Sequence, residues 1–438
     1  MHTLVVDLGF GDAGKGAVVD RLCRDQRGVT AVVRFNGGAQ AAHNVVTADG
    51  RHHTFAQFGA GTLRGVPTHL SRFMSVDPLA LSAEADHLKA IGVPDPYALL
   101  SVDRRARLTT PYHAAANRLR ERARGAARHG SCGMGVGETA RYALAHPDDA
   151  PTVGDCAARP RLLRRLRLLR DRLTDELGPL AAPSVESCAE VYAAFARAVT
   201  LTDETALRRL VRQGPLVFEG AQGVLLDENH GFHPYTTWST TTFANAETLL
   251  AEAGATDGAL RLGVVRTYTT RHGPGPLVTE DPELPPLLPE PHNGHGRWQG
   301  AFRIGHFDAV AHRYAVDVCG GVDALAVTHL DAPGRCRGLR ICRAYGVGGR
   351  LVESLPAGPP EDLARQAELT GRLLTARPAL WETPGPDPRR WSDAIAHLLG
   401  APVLVESSGP ARQTLSSTRS PRTLSSRANR PPAAHRVG

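Results

Sequence analysis

Asp12, Lys15 and the glycines around them are the residues best placed to do chemistry. Gly9, Gly11, Gly14 and Gly16 fall within VVDLGFGDAGKGAVVD (Val5–Asp20), between an apolar run and the start of a helical pattern. Strand, glycine loop and helix in this order aim backbone N–H groups and a helix N-terminus at an anion. Gly9–Lys15 fits G-x-x-x-x-G-K, but Gly16 stands where the Ser or Thr that holds Mg²⁺ would be. Asp12, inside the loop, is the natural substitute ligand. Lys15 is one of only two lysines in the chain, the other being Lys89. A compact ammonium suits phosphate oxygens in a tight loop better than a planar guanidinium does. Taken alone, the loop also fits a glycine-rich turn of an ordinary α/β fold.

Further candidates follow strand patterns. His43 lies just past Asn36-Gly37-Gly38, a turn closing the apolar run Val29–Phe35. A His there, at a strand end in a sheet that carries a phosphate loop, is a catalytic candidate. HGSCGMGVGE (His129–Glu138) offers a second place where a backbone can approach an anion, or simply a flexible loop. After the strand at Leu216–Phe218, Gln222 and Thr237 sit in polar loops able to bond a base or a phosphate, or only to cap a helix. Asp331, after a strand at 325–329, could accept two N–H bonds from guanine or cap a helix.

The elements that must position these groups alternate between strand and helix patterns along 438 residues, 42% of them hydrophobic. That predicts an α/β fold: one large domain over 1–412, a central mostly parallel β-sheet with a P-loop-like nucleotide site, and helical elaborations. Helices are expected at 79–91, 114–127 and 158–178, the last a basic surface helix with a Leu stripe. Net charge is +7, but residues 411–438 contain six Arg and no acid, so the body is close to neutral and does not read as a nucleic-acid binder. That Ser/Arg/Pro-rich tail, 413–438, is expected to be disordered. No run of 18 apolar residues occurs, so no membrane partner is expected and the location is read as cytoplasmic. Seven scattered cysteines without a CxxC pair read as free thiols.

Together GDAGKG (Gly11–Gly16), RFNGG…H (Arg34–His43), FEGAQGVLLDENHG (Phe218–Gly231), PYTT (Pro234–Thr237), YTTRHGPGPLVTE (Tyr268–Glu280), THLD (Thr328–Asp331) and SSGP (Ser407–Pro410) resemble the adenylosuccinate synthetase family over nearly the whole chain. The resemblance implies a GTP-dependent carbon–nitrogen ligase: GTP phosphorylates the 6-oxo group of IMP, and the nitrogen of L-aspartate displaces the phosphate. It implies Asp12 as base, His43 as acid and Gln222 beside them. Gly14, Lys15 and Gly16 would hold GTP phosphates. Asp331 would read guanine, with Ser408, Gly409 and Pro410 around that base. Asn36, Gln40, Cys132, Thr237, Arg271 and Gly273 would face the purine substrate, Arg297 and Arg303 the amine donor. Mg²⁺ would sit against Asp12 and the Ala42 carbonyl, and the family is usually homodimeric.

The chain also departs from the family pattern. Ala13 and Ala17 replace Glu and Lys, Gln40 replaces an Asn that touches IMP, Ala42 a Gly, and Cys132 a Thr of the phosphate loop. The arginine that crosses to a partner's site has no firm counterpart, with His146 in its place and Arg141 nearby. In the aspartate loop Gly300 stands at the carboxylate-gripping arginine. Two alternatives therefore stand beside adenylosuccinate synthesis: the same GTP activation with another amine donor or purine-like acceptor, and a GTP-binding protein without turnover.

Overall fold

The computed structural model describes residues 1–255, 258–290, 293–409 and 413–415. Ten strands make the central sheet, in the order Gln413–Leu415, Val403–Ser407, Ala324–Thr328, Ala259–Arg266, His2–Asp7, Leu216–Glu219, Ala31–Arg34, Thr68–Leu70, Leu100–Asp103, Thr200–Thr202. All pairings are parallel except that of Gln413–Leu415 with Val403–Ser407. The described fold thus runs three residues past the boundary expected at 412; residues 416–438 lie outside the described residues.

The central strands are buried on both faces, so they read as unbroken apolar runs such as Leu4-Val5-Val6. A parallel sheet gathers the C-terminal ends of its strands along one edge, where loops can form a site. Asp7, Arg34, Glu219, Thr328 and Ser407 each end a strand there. A second, five-stranded sheet is built around Tyr268–His272 and Phe302–Asp308, which pair antiparallel. The strand expected at 262–268 is therefore two strands, broken at Thr267. That residue's N–H donates to Thr328 O and its hydroxyl to His329 O, which turns the chain out of the first sheet.

Helices form where caps and stripes predict. Pro78–Ala90 starts at Asp77, whose carboxylate accepts from Leu79 and Ala80 N–H. Pro111–Arg124 starts with a Thr110–His113 capping box and Pro at its first turn, so it begins three residues before the expected position. Arg159–Leu177 buries Leu162, Leu166, Leu169 and Leu173, and its Arg161 and Arg165 bond the buried Asp155. It is a packed surface helix, as its Leu stripe predicts. The seven cysteines are free thiols, as expected, and among the described residues no helix is long and apolar enough to cross a membrane.

Burial holds two structural histidines neutral: His69 is pushed down to about 4 and His113 to about 3. Unfolded, both titrate near 6.5. Their stability contribution is thus complete above that value and is lost as pH falls towards the folded values. Urea unfolding at pH 7 and pH 5 is expected to differ by about 2 kcal/mol for each of these groups, and His69→Gln should reduce the difference by its share.

Candidate active site

The glycine loop is organised from below by Asp7, which ends the first strand and was not singled out from the sequence. Its Oδ1 accepts from Gly9 N–H at 2.8 Å and Gly11 N–H at 3.2 Å, and its Oδ2 from Ala13 N–H at 2.7 Å. The Lys15 ammonium lies 3.3 Å from the same Oδ2 and donates to Gly11 O and Gln222 O, both at 2.8 Å. All its donors are engaged inside the protein. The sequence suggests that Lys15 presents its charge to a phosphate; in this conformation it braces the cradle instead. Helix Lys15–Asp25 follows Gly14, whose φ is 93°, with no side-chain cap, so its first N–H groups face the loop opening. Gly16 explains the missing hydroxyl: a Cβ there would stand 2.9 Å from both C and Cβ of His43. Ser or Thr cannot fit without moving His43. Asp7→Ala removes the anchor and leaves Lys15 buried and uncompensated, so it is expected to cost about 3–5 kcal/mol in urea unfolding.

Beside the loop lies a cavity of about 580 Å³. Asp12, Gln40, Ala42, His43, Cys132, Gln222, Thr237 and Arg271 all line it, which unites residues from six separate motifs. His43 is buried, and its Nδ1 lies 2.6 Å from Glu219 Oε1; the other Glu219 oxygen accepts from Ala60 N–H at 2.9 Å. Glu219 was seen in its motif but given no role; its partner lies 176 positions away in sequence. Burial pushes the imidazole down to about 4, so it is neutral, with its proton on the nitrogen facing Glu219. Burial and the nearby Asp7 carboxylate raise the Asp12 pKa, against the opposing pull of His272. Asp12 Oδ2 is 3.9 Å from His272 Nε2, and its side chain keeps 22% exposure, opening on the cavity. Both polar atoms of the Gln222 side chain are buried without a partner among the described residues, as is Gln40 Oε1. Orphaned amides facing a cavity are groups held ready for a ligand.

Other expected contacts are placed differently. Asn36 does not line the cavity. Its amide donates to Ala221 O at 3.0 Å and accepts from Ala221 N–H at 2.7 Å, clamping two loops together. Arg271 reaches the wall, but its guanidinium is held by the carbonyls of Pro274, Pro276 and Tyr235 and lies over the Phe10 ring. Burial and Arg303 lower it to about 9. Gly273, with φ 72°, packs under the Gln299 carbonyl, where a Cβ would come within 2.4 Å. Arg303 is tied to Glu280 and to Gly273 O and Gly275 O, so it is not free to read a donor carboxylate. Arg297 is exposed over the Trp298 ring, at 5.4 Å.

The second glycine loop is held, not slack. Gly130, Gly133 and Gly135 have positive φ, and a Cβ on each would come within 2.7 Å of Pro274, Trp298 or the 113–114 backbone. Asp331 Oδ1 is buried without a partner among the described residues, while Oδ2 lies 2.8 Å from Arg335. Leu330 N–H bonds Ser407 O at 3.0 Å, so Asp331 and the Ser408–Gly409 turn share one edge. Pro410 lies outside the described residues.

An anion cradle, a buried His–Glu pair, a carboxylate of raised pKa and unpartnered amides on one cavity define an α/β enzyme built to activate a substrate with a nucleotide. The family model for adenylosuccinate synthetase matches residues 4–415. The adenylosuccinate synthetase of Alkalilimnicola ehrlichii is 34% identical over 427 residues, covering 94% of this chain and 96% of that protein. That of Acidithiobacillus ferrooxidans is 32% identical over 434 residues, covering 94% and 97%. Among solved structures, fully ligated adenylosuccinate synthetase from Plasmodium falciparum superposes with TM-score 0.80 at 19% identity, covering 95% of this chain and 100% of that one. The succinoaminodeoxyadenylate synthetase of cyanophage S-2L, bound to dGMP and dATP, superposes with TM-score 0.60 at 19% identity, covering 97% and 98%. The chain belongs to the adenylosuccinate synthetase family, GTP-dependent ligases that form a carbon–nitrogen bond.

Proposed function

We propose that this chain phosphorylates the 6-oxo group of IMP with GTP and lets an amine displace the phosphate, with L-aspartate the donor that the family name implies. The observation that supports this best is the meeting of Asp12, the His43–Glu219 pair and the unpartnered Gln222 amide beside the phosphate loop. Asp12 takes the N1 proton, which turns the 6-oxo group into a nucleophile; a raised pKa brings this base closer to its task. That oxygen forms a bond to the γ-phosphorus as the bond to the β–γ bridging oxygen breaks, giving GDP. His43, neutral at rest, gains from Glu219 the electrostatic support to carry a proton as negative charge develops. The amine nitrogen then bonds C6, the C6–O bond breaks, phosphate leaves, and one amine proton is released.

Mg²⁺ fits the site in a restricted way. Among the described residues no three His, Cys, Asp or Glu side chains form a metal cage. A metal that takes most of its oxygens from phosphates and water needs only one or two protein ligands, and the Asp12 carboxylate and Ala42 carbonyl would supply them. Its chemistry there is neutralisation of phosphate charge. Asp331→Asn is expected to weaken GTP binding at least tenfold and to relax the preference for GTP over ITP. Equal relative kcat/KM for the two nucleotides before and after the change would remove Asp331 from guanine recognition.

A homodimer and a cytoplasmic location belong to the same reading. Half-exposed Leu144, Trp238 and Leu363 line a second cavity of about 520 Å³ that shares Thr236–Trp238 with the first, a rim suited to a second copy. The test is GDP and phosphate formation from GTP and Mg²⁺, with IMP and aspartate supplied together and each omitted. Turnover requiring both supports adenylosuccinate synthesis. Turnover requiring IMP alone supports a second reading, another amine donor, which the engagement of Arg303 favours. No acceptor-dependent turnover would mean a GTP-binding protein.

A further inference from the structure

Behind the His43–Glu219 pair, side chains take the N–H groups of five successive residues, Ala56 to Ala60. Glu84 accepts from Ala56 at 2.9 Å, Gln57 at 2.8 Å and Phe58 at 3.1 Å. Thr68 Oγ1 accepts from Gly59 and Glu219 Oε2 from Ala60, both at 2.9 Å. Two carbonyls of the same stretch, Ala56 O and Phe58 O, accept from a single nitrogen, Arg34 Nη1, at 3.1 and 3.0 Å. The segment that steadies Glu219 is thus gripped by two buried carboxylates and one buried guanidinium.

Arg34 is fully buried and both its bonds go to carbonyls, so its charge is met at longer range. Two carboxylates meet it. Glu84 is joined to it across one peptide: Arg34 bonds the Ala56 carbonyl, and the Gln57 N–H of that peptide bonds Glu84. Glu219 is its register partner on the neighbouring parallel strand. Burial raises the Glu219 carboxyl, and the Arg34 charge leads the influences that hold it below its ordinary value instead. As a carboxylate Glu219 can only accept, so His43 carries its proton on Nδ1 and leaves Nε2 for the cavity that the ring lines. A neutral Glu219 could donate to Nδ1 and reverse that arrangement. Arg34 Nε and Nη2 have no partner among the described residues. The position therefore uses one donor nitrogen and a positive charge, not the guanidinium fork.

Resting on the GTP-activation reading, we infer that Arg34 is a positioning residue for phosphoryl transfer: through Glu219 and the 56–60 segment, its buried charge keeps His43 oriented towards the reacting phosphate. The test uses the full chain with GTP, Mg²⁺ and IMP. Positional isotope exchange of ¹⁸O within the β-phosphate of GTP, with no donor present, reports activation alone. Arg34→Met is expected to lower the maximal exchange rate about tenfold or more, while the GTP and IMP concentrations giving half-maximal exchange change by less than about threefold. Arg34→Lys should recover most of the loss, because one ammonium can serve both carbonyls and keeps the charge. Arg34→Gln, which keeps a donor but no charge, should not. In a Glu219→Gln background, Arg34→Met should cost less than about threefold further, since the charge it serves is already gone. If Arg34→Met does not fold, the Lys and Gln variants decide alone. Equal rates for Lys and Gln, a loss confined to half-saturation, or the same loss from Arg34→Met with and without the Glu219 carboxylate overturns the inference, and exchange in the parent then leaves the activation reading standing. Absence of IMP-dependent exchange in the parent overturns the activation reading and the inference with it.

Discussion

Asp12→Asn is expected to abolish acceptor-dependent GDP formation, by about 10³-fold or more, while the protein stays folded. The magnitude follows from the loss of a positioned base, which contributes about 10²–10⁴, since an amide cannot take the N1 proton. The fold is expected to survive because Asp7, not Asp12, gathers the loop N–H groups. Asp12 joins the scaffold through its backbone carbonyl, which the change leaves in place. Removing its charge also relieves repulsion from Asp7. Urea unfolding should therefore change by no more than about 1 kcal/mol, or shift towards higher stability. Positional isotope exchange should vanish along with turnover. A variant that kept exchange within tenfold of the parent would require another base, and His272, 3.9 Å away, would be examined first.

Glu219→Gln is expected to lower kcat by about 10²-fold with little change in the KM for GTP. Glu219 touches no part of the cavity wall itself; it acts through His43, so binding should be spared and the charge-developing step should suffer. The amide keeps the shape and still accepts from His43, but it cannot stabilise an imidazolium. It also turns one acceptor into a donor beside either His43 or Ala60 N–H, at a cost of about 1–3 kcal/mol in stability. Glu219→Asp keeps the charge but withdraws it by a methylene. Greater activity than the Gln variant would assign the effect to charge. Equal activity would make it a matter of packing.

The parts legible in the sequence were those whose pattern is local. The glycine loop, the position of His43 at a strand end and the Leu stripe of 159–177 all follow from short-range spacing. Asp7 and Glu219 were overlooked because their roles depend on what meets them. Asp7 looks like the end of a strand until Ala13 and Lys15 fold back onto it, and Glu219 like one more buried residue until His43 arrives. The arginines misled in the opposite way. Arg271 and Arg303 read as free cations, yet close-packed carbonyls of the 273–276 turn claim both. Asn36 has the chemistry to bind a base but uses it to join two loops. The sequence names donors and acceptors, while the fold decides which of them are left over.

The bond from Lys15 to the Gln222 carbonyl spans 207 positions, and the first strand lies between Leu216–Glu219 and Ala259–Arg266. During synthesis the opening segment therefore waits through half of translation before either flanking strand exists. Until then its lysine has no carbonyl at Gln222 to grip, and the cradle has no floor on that side. A nascent chain shorter than this is expected to hold no GTP, so that nucleotide capture reports completion of the sheet. Stalled chains released before and after the 216–222 segment has emerged, probed with a fluorescent GTP analogue, would show the step.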